Sequence, residues 1–565
     1  MKKNLINSDI SSFIWDLKYR LKTFSGEPLE QSVEETWDRI AGAVSIREKD
    51  HTYWKNIFYN SFTDFKLIPG GRISVGAGTD KDLTLINTFV MGVIPDNLIG
   101  IFENLKESAL TMSLGGGIGC DFSTIRPDTS EIKGVNSPSC GPLPFMDVWD
   151  QMCETITSGG VRRGAMMAML RCDHPDIQQF ITAKQQSNKL SRFNLSVLIT
   201  DKFIEAINSD LDWDLVFDNK IFRTVRAREL WEELMHMSYE HAEPGVLFID
   251  VMNRCNNLQY CETILGTNSC GEQLLPPYGS CPLASINLTQ LIVTPFQKSA
   301  KLNIDEFESL IYIGIRMLDN VLDISKYPLE AQKTEALKKR RVGLGITGLA
   351  DALAMCNVRY GSKEALSLTE EWMKTFQRCS YLASTDLAKE RGAFPCYDDR
   401  FLEGPQAFML GQDIRNSIAA NKLRNGALNS IPPAGTTSLY AHNISSGIEP
   451  IFSLAAKRKI KLNNNDIKVI EVNDYAFELY KINGNTIGIT PDFFITSNEL
   501  SVSEHVQMQS MAQKYIDSSI SKTINCPKDI NFMDFKDVFL NAYNSGCKGC
   551  TVYRPNEIRT HVLSS

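Results

Sequence analysis

Apolar and polar positions follow two rhythms along the chain. SVEETWDRIAGAVSI, Ser32 to Ile46, spaces its apolar residues three and four apart, so residues 1–65 are read as a helical segment. From Leu67 the texture changes to short apolar runs, glycine clusters and further helices. IFENLKESALTMSL (101–114) carries Ile101, Leu105, Leu110 and Met112 roughly on one helical face and runs into GGGIG (115–119), read as a stop and a tight loop. FMDVWDQMCETITSGG (145–160) repeats that plan. FNLSVLIT (193–200) and GVLFIDV (245–251) read as buried strands. Strand and helix signals alternate to about residue 550, the pattern of an α/β fold. No repeat and no long linker interrupts it; KIKLNNNDIKV (459–469) reads as a surface loop or hairpin. The expectation is one large catalytic domain, 66–557, with a short tail at 558–565.

Composition narrows the classes. Of 565 residues, 43% are hydrophobic and 22% charged, ordinary for a globular chain. A net charge of −8 excludes recruitment of nucleic acid by overall charge, but leaves room for a small phosphorylated ligand. No signal-peptide run, no apolar stretch of membrane-spanning length and no lipidation box is legible, so no membrane contact and a cytoplasmic location are expected. Fourteen cysteines in such a chain argue against a disulfide framework. Most read as small buried hydrophobes; Cys120, Cys270, Cys281, Cys547 and Cys550 stand in polar, glycine-rich contexts.

Several motifs have plain structural readings. GLGITG (343–348) fits G-x-G-x-x-G, but ALKKRR precedes it where a dinucleotide fold needs an apolar strand, so the glycines read as close packing at a turn. CKGC (547–550) lacks a second ligand pair at zinc spacing. CDHPD (172–176) reads as a solvated turn. PPAGTTSLYAHNISSGIEP (432–450) offers hydroxyls and free N–H groups at a helix start, either a phosphate cradle or an ordinary capped turn. In TNSCGEQLLPPYGSCPLASINL (267–288), Glu272 two residues from Cys270 on an extended segment places both side chains on one side. With Cys281 and the cradle, the set suits a thiol that is oxidised and a carboxylate that moves a proton on a phosphorylated substrate.

These stretches resemble the catalytic subunit of ribonucleotide reductases, most closely the adenosylcobalamin-dependent branch that acts on ribonucleoside diphosphates. The resemblance covers roughly residues 66–557 and is carried by GGRISVGAGT, VMGVIPDNLIGIFENLKESAL, GGGIGCDFSTIRP, GPLPFMDVWDQMC, SGGVRRGAMMAMLRCDHPDI, FNLSVLIT, TNSCGEQLLPPYGSCPLASINL, RRVGLGITGLADAL, PPAGTTSLYAHNISSGIEP, DSSISKTINCP and GCKGCTVYRP. It implies a ten-stranded α/β barrel of two five-stranded parallel halves set antiparallel, with a finger loop inside. It implies Cys270 as the thiyl-radical residue, Glu272 as base on the 3′-hydroxyl and Asn268 as a ribose ligand. Asn87, Thr88, Gly117 and Pro433, Ala434, Gly435, Thr436 and Thr437 would line the substrate, and Asp96 and Arg126 would bind nucleotide effectors. Thr551 and Val552 stand where subunit-dependent relatives carry two relay tyrosines, which favours adenosylcobalamin as a local radical source, with no metal ligand from the protein. A homodimer is expected, without the N-terminal ATP-binding cone of some relatives.

One departure matters. The family reduces its substrate with two cysteines; Cys281 matches one, but Thr88 stands at the other position, and a hydroxyl is a far poorer reductant than a thiolate. The tail that re-reduces relatives also looks absent. Three readings stay open: a reductase in which Cys120 substitutes; one using an external reductant, a thioredoxin-like or small thiol or formate; or a homologue with another nucleotide reaction or none.

Overall fold

The computed structural model describes residues 9–132, 134, 136–156, 164–185, 189–461, 467–484, 490–555 and 563–564. The glycine-arginine run at 157–163 and most of the 558–565 tail lie outside them.

Eleven strands position the site. They are β1 (Leu67–Pro69), β2 (Thr88–Val90), β3 (Gly117–Asp121), β4 (Met166–Arg171), β5 (Phe193–Ile199), β6 (Gly245–Phe248), β7 (Ser280–Cys281), β8 (Leu283–Asn287), β9 (Gly343–Thr347), β10 (Thr523–Asn525) and β11 (Gly549–Tyr553). One eight-stranded sheet has the order β7-β2-β3-β4-β5-β6-β11-β10. Strands β2 to β6 run parallel, β7 and β11 lie antiparallel to their neighbours β2 and β6, and β10 runs parallel to β11. A three-stranded sheet, β1-β8-β9, continues from β7 across Pro282. Isolated parallel bridges Leu344↔Asn429 and Ile431↔Ile520 carry the pairing on from β9 toward β10. This is a mixed α/β architecture with a large parallel sheet.

Side-chain alternation gives the sheet two different faces. Met166, Ala168 and Leu170 of β4, and Phe193, Leu195 and Val197 of β5, join the main core beneath the helices. Met167, Met169, Leu198 and Leu247 point the other way and form a small cluster with Leu274. That second face receives the loop carrying Cys270.

The helices form where capping and periodicity agree. The two longest helices of the N-terminal segment are α1 (Val33–Val44) and α2 (His51–Phe62); Asp50 caps α2 by accepting the Tyr53 N–H. Asn97 caps α3 (Leu98–Ser113), which stops at Gly115, φ +100°. In α4 (Ile304–Ile324), Phe307, Leu310, Ile311, Gly314, Ile315, Leu318 and Val321 bury one face at helical spacing. The α5 helix (Lys363–Arg391) packs along α4. A short α6 (Gly435–Tyr440) and α7 (Val502–Gln513), the latter closed by a Ser501/Glu504 capping box, complete the set used below.

Three local expectations change. The glycine run after α3 is half strand: Gly117–Asp121 is β3. GLGIT is itself a fully buried strand rather than a turn, because its glycines leave room for neighbours; a Cβ on Gly345 would lie 2.4 Å from the Ser430 carbonyl oxygen. The turn at 172–176 is buried, with His174 Nε2 3.0 Å from the Ile125 carbonyl. Burial holds His174 down at about 4, so it donates there as a neutral ring. The 459–469 stretch belongs to a hairpin, Ala455–Lys461 against Ile467–Asn473, whose tip lies outside the described residues.

Candidate active site

Residues 266–275 form a finger. Gly266 and Thr267 pair with Leu275 and Leu274, and the tip between them closes on itself. Asn268 Oδ1 accepts the Gln273 N–H at 3.0 Å, and the Gly271 N–H reaches the Asn268 carbonyl at 3.2 Å. Gly271 has φ +83°, a conformation that L side chains rarely adopt. The tip is therefore a turn, and the same-side argument for an extended Cys270-Gly-Glu272 does not apply. Cys270 is half-buried at the tip, while Glu272 and Asn268 are buried.

The finger is seated from several distant parts of the chain. Asn194 Nδ2 donates to the Ser269 carbonyl at 2.8 Å. Gln273 Nε2 donates to Ser430 Oγ at 2.6 Å. Ser518 Oγ accepts the Leu274 N–H at 2.9 Å, and the Ser519 N–H donates to the Glu272 carbonyl at 3.0 Å. Close approach also needs missing side chains. A Cβ on Gly117 would lie 3.0 Å from Ser269 Oγ, and one on Gly119 only 1.8 Å from the Thr267 carbonyl oxygen. Gly119, Gln273, Ser518 and Ser519 stand in quoted motifs but were not singled out from sequence. The legible signals are the glycine run GGGIG for Gly119 and the density of small polar residues in DSSISKTINCP for Ser518 and Ser519.

Cys281 and Thr88 are directly opposed, Cα partner to Cα partner, across β7 and β2. Thr88 Oγ1 donates to the Cys281 carbonyl at 2.8 Å. Burial pushes the Cys281 thiol well above its usual value, Arg341 opposes this and Glu272 adds to it. Cys120 lies elsewhere. It belongs to the helix-side core with Ile118, and its thiol bonds Ser108 on α3. Burial raises that thiol to about 12. Gly117 and Gly119 occupy the finger side of the same strand, so the alternation turns Cys120 away from Cys281, against its expected role as a substitute thiol.

A cavity of about 620 Å³ opens beside the finger tip, lined among others by Cys270, Asn194, Pro433, Ser438, Ser446 and Thr551. This is a common size for a small-molecule site. Pro433 leads into Ala434, φ 50°, and then α6, where Gly435 and Thr436 are exposed at the helix start. Thr437 Oγ1 turns back to the Ala434 carbonyl at 3.0 Å. Asn87 stands at the neighbouring edge: its Oδ1 accepts the Arg72 N–H at 3.4 Å and its carbonyl accepts the Gly117 N–H at 2.8 Å. Asp96 and Arg126 do not join this site. They pair with each other, Nε to Oδ2 at 2.9 Å, tying the turn before α3 to the loop after β3.

Asp474, on the cavity wall, hydrogen-bonds Asp351. Burial pushes both carboxyls up, and the Asp474 charge raises Asp351 further. Cys547 and Cys550 are buried free thiols. Burial lifts Cys547 to about 12, which suits structural thiols. Among the described residues no group of three His, Cys, Asp or Glu side chains is arranged to hold a metal ion, and no helix is long and apolar enough to cross a membrane.

Comparison with known proteins adds a second line. The family model described as "Ribonucleotide reductase, barrel domain" matches residues 86–553. A vitamin B12-dependent ribonucleoside-diphosphate reductase of Thermoplasma acidophilum is 34% identical over 94% of this chain and 69% of its own length. One of Mycobacterium tuberculosis is 33% identical over 97% of this chain and 79% of its own. The ribonucleoside-diphosphate reductase subunit alpha of Chlamydia muridarum is 26% identical, covering 94% of this chain and 57% of its own.

Proposed function

The chain belongs to the ribonucleotide reductase family, and from that premise we propose that it reduces ribonucleoside diphosphates to 2′-deoxyribonucleotides through a thiyl radical on Cys270. The observation that carries this is the finger: it presents Cys270 to a 620 Å³ cavity while burying Glu272 and Asn268 beside it. In this reading the Cys270 thiyl takes hydrogen from C3′ of the ribose and Glu272 takes the proton of the 3′-hydroxyl. Oxygen then leaves C2′ as water, and two electrons from a reductant complete the exchange. The NH₂ end of the Asn268 carboxamide, which Gln273 does not use, is aimed at the ribose hydroxyls. Pro433, Ala434, Gly435, Thr436 and Thr437 receive the phosphates at the start of α6. Asn87, Thr88 and Gly117 form the opposite edge. Burial around the finger excludes water from the radical.

Besides the residues given to the nucleotide, the cavity of about 620 Å³ is lined by small polar residues (Ser521, Asn525, Thr551) whose hydroxyl and amide groups suit the ribose and base of an adenosyl group. Adenosylcobalamin, when bound, supplies the one-electron oxidation of the thiol; those three residues would hold its adenosyl end. The ten-stranded barrel is part of the same reading, supported by the two isolated bridges between β9 and β10. So is a homodimer with effectors at Asp96 and Arg126, supported by the exposed Leu98, Ile99 and Phe102 on the adjoining α3.

Thr88 favours a second reading, in which the reductant is external or the nucleotide reaction differs. Anaerobic turnover with adenosylcobalamin, each ribonucleoside di- and triphosphate, and dithiothreitol or formate decides between them. Deoxynucleotide that disappears in Cys270→Ala supports the first. Base release without deoxynucleotide supports the second, and turnover retained in Cys270→Ala sinks both.

A further inference from the structure

Two parts of the proposed site lie far apart in sequence: the finger at 266–275 and the α6 helix start at 435. Both are anchored to one segment, residues 517–523. Ser518 and Ser519 hold the finger through the Leu274 N–H and the Glu272 carbonyl, at 2.9 and 3.0 Å. Four residues on, the wholly buried Lys522 side chain donates from Nζ to Glu449 Oε2 at 2.6 Å, to the Thr523 carbonyl at 2.6 Å and to His505 Nδ1 at 2.9 Å. His505 accepts as a neutral ring, because burial and the Lys522 charge hold it down at about 3; its Nε2 is left to donate to the Ser497 carbonyl at 3.2 Å. The other Glu449 oxygen accepts the Thr523 N–H at 2.7 Å. Glu449 is in turn tied to the cradle. Its N–H donates to the Ser446 carbonyl at 2.8 Å, and Ser446 Oγ meets Ser438 Oγ of α6 at 2.8 Å.

We infer that Glu449 and Lys522 are positioning residues. Their ion pair sets the α6 helix start, where the phosphates of a ribonucleoside diphosphate arrive, at a fixed distance from the finger that carries Cys270. Lys522 borders the cavity, but its side chain has no solvent-exposed surface and its ammonium is taken up by Glu449, His505 and the Thr523 carbonyl, so it acts through Glu449 and Ser446 and not by touching substrate. A buried lysine with three acceptors is a rigid joint: every donor direction is taken, and releasing any one leaves a polar group buried and unpaired.

This inference rests on the reading of α6 as the phosphate end of a nucleotide site. Calorimetric titration of the apoprotein tests it, with the four ribonucleoside diphosphates and the four matching ribonucleosides as probes. Lys522→Met is expected to weaken diphosphate binding about tenfold, the scale of one charge-assisted hydrogen bond, with ribonucleoside binding unchanged. Ser446→Ala interrupts the same chain at its half-buried end; about threefold is expected, with the double variant no weaker than Lys522→Met alone. Equal losses for diphosphate and nucleoside, additive losses in the double variant, or native diphosphate affinity in the folded variants would overturn the positioning role. If Lys522→Met does not fold, Ser446→Ala decides by the same criteria. Should the native protein bind no diphosphate, the nucleotide reading itself falls, and the inference with it.

Discussion

Residue 88 is the place where a single side chain decides most. Because Thr88 and Cys281 are paired in register, a thiol at 88 would face the one at 281 across the strands, within the range of a disulfide. Thr88→Cys is therefore expected to lose two titratable thiols on mild oxidation, counted after unfolding, and to gain dithiol-driven turnover. An unchanged thiol count would mean that the surrounding packing holds the two sulfurs apart. The sequence made the lesion visible, since threonine at a redox position is a difference of chemistry. It could not make the local geometry visible. The left-handed turn at Gly271 cancels the even-spacing argument for Cys270 and Glu272. Likewise Cys120, close to Gly117 and Gly119 in sequence, is turned to the helices by strand alternation that GGGIGC does not announce.

At the scale of elements, the finger depends on a lane without side chains along β3. Gly119→Ala would press a methyl group against the Thr267 carbonyl, where no rotamer can relieve the contact. The expected outcome is a folded protein by circular dichroism with turnover reduced about a hundredfold, the effect of displacing a reacting group by roughly 1 Å. The helix start that follows the 455–473 hairpin carries a second dependence. Asp474 and Asp351 are buried together, and Asp474 also accepts the Phe477 N–H at the start of the next helix. Burial raises the folded pKa of Asp474 above its unfolded value, so the folded state holds the proton longer. Its contribution to stability is full below about pH 4 and is lost as pH rises through the raised value. Asp474→Asn keeps the cap and removes the Asp474 titration. The variant should gain on the native protein between pH 4 and pH 7 in urea midpoint; a constant difference would show that the pair does not titrate there. Strands such as FNLSVLIT were legible because five of the seven residues in Phe193–Ile199 are apolar and all but Asn194 are buried. GLGIT was not, because its glycines serve neighbours 85 residues away, at Ser430.

Across the whole molecule, the N-terminal helices are joined to the rest by charge as well as by apolar packing. Glu48, just after α1, accepts from Arg316 and Arg391 at 2.7 Å each and from Asn320 at 2.7 Å, with almost no exposed surface. Removing one member of a buried network leaves the others uncompensated, so Glu48→Ala should lose roughly 3 kcal/mol, read as a lower urea midpoint at unchanged slope. A loss below about 1 kcal/mol would place the joint in the apolar contacts alone. The order of motifs along the chain made the family legible from sequence. How those motifs close on one another was not, because the side-chain hydrogen bonds that seat the finger pair residues from 75 to 244 positions apart.

That separation has a consequence for how the protein is made. The finger bearing Cys270 is complete once residue 275 has been synthesised, yet two of its anchors are Ser430 and the pair Ser518 and Ser519. A chain emerging from the ribosome thus holds the Cys270 thiol without its final housing for some 240 residues, and domains of this size are prone to pass through such open states. During that interval the fold does not yet guard the thiol, because the serines that seat the finger at residues 518 and 519 are still to be made.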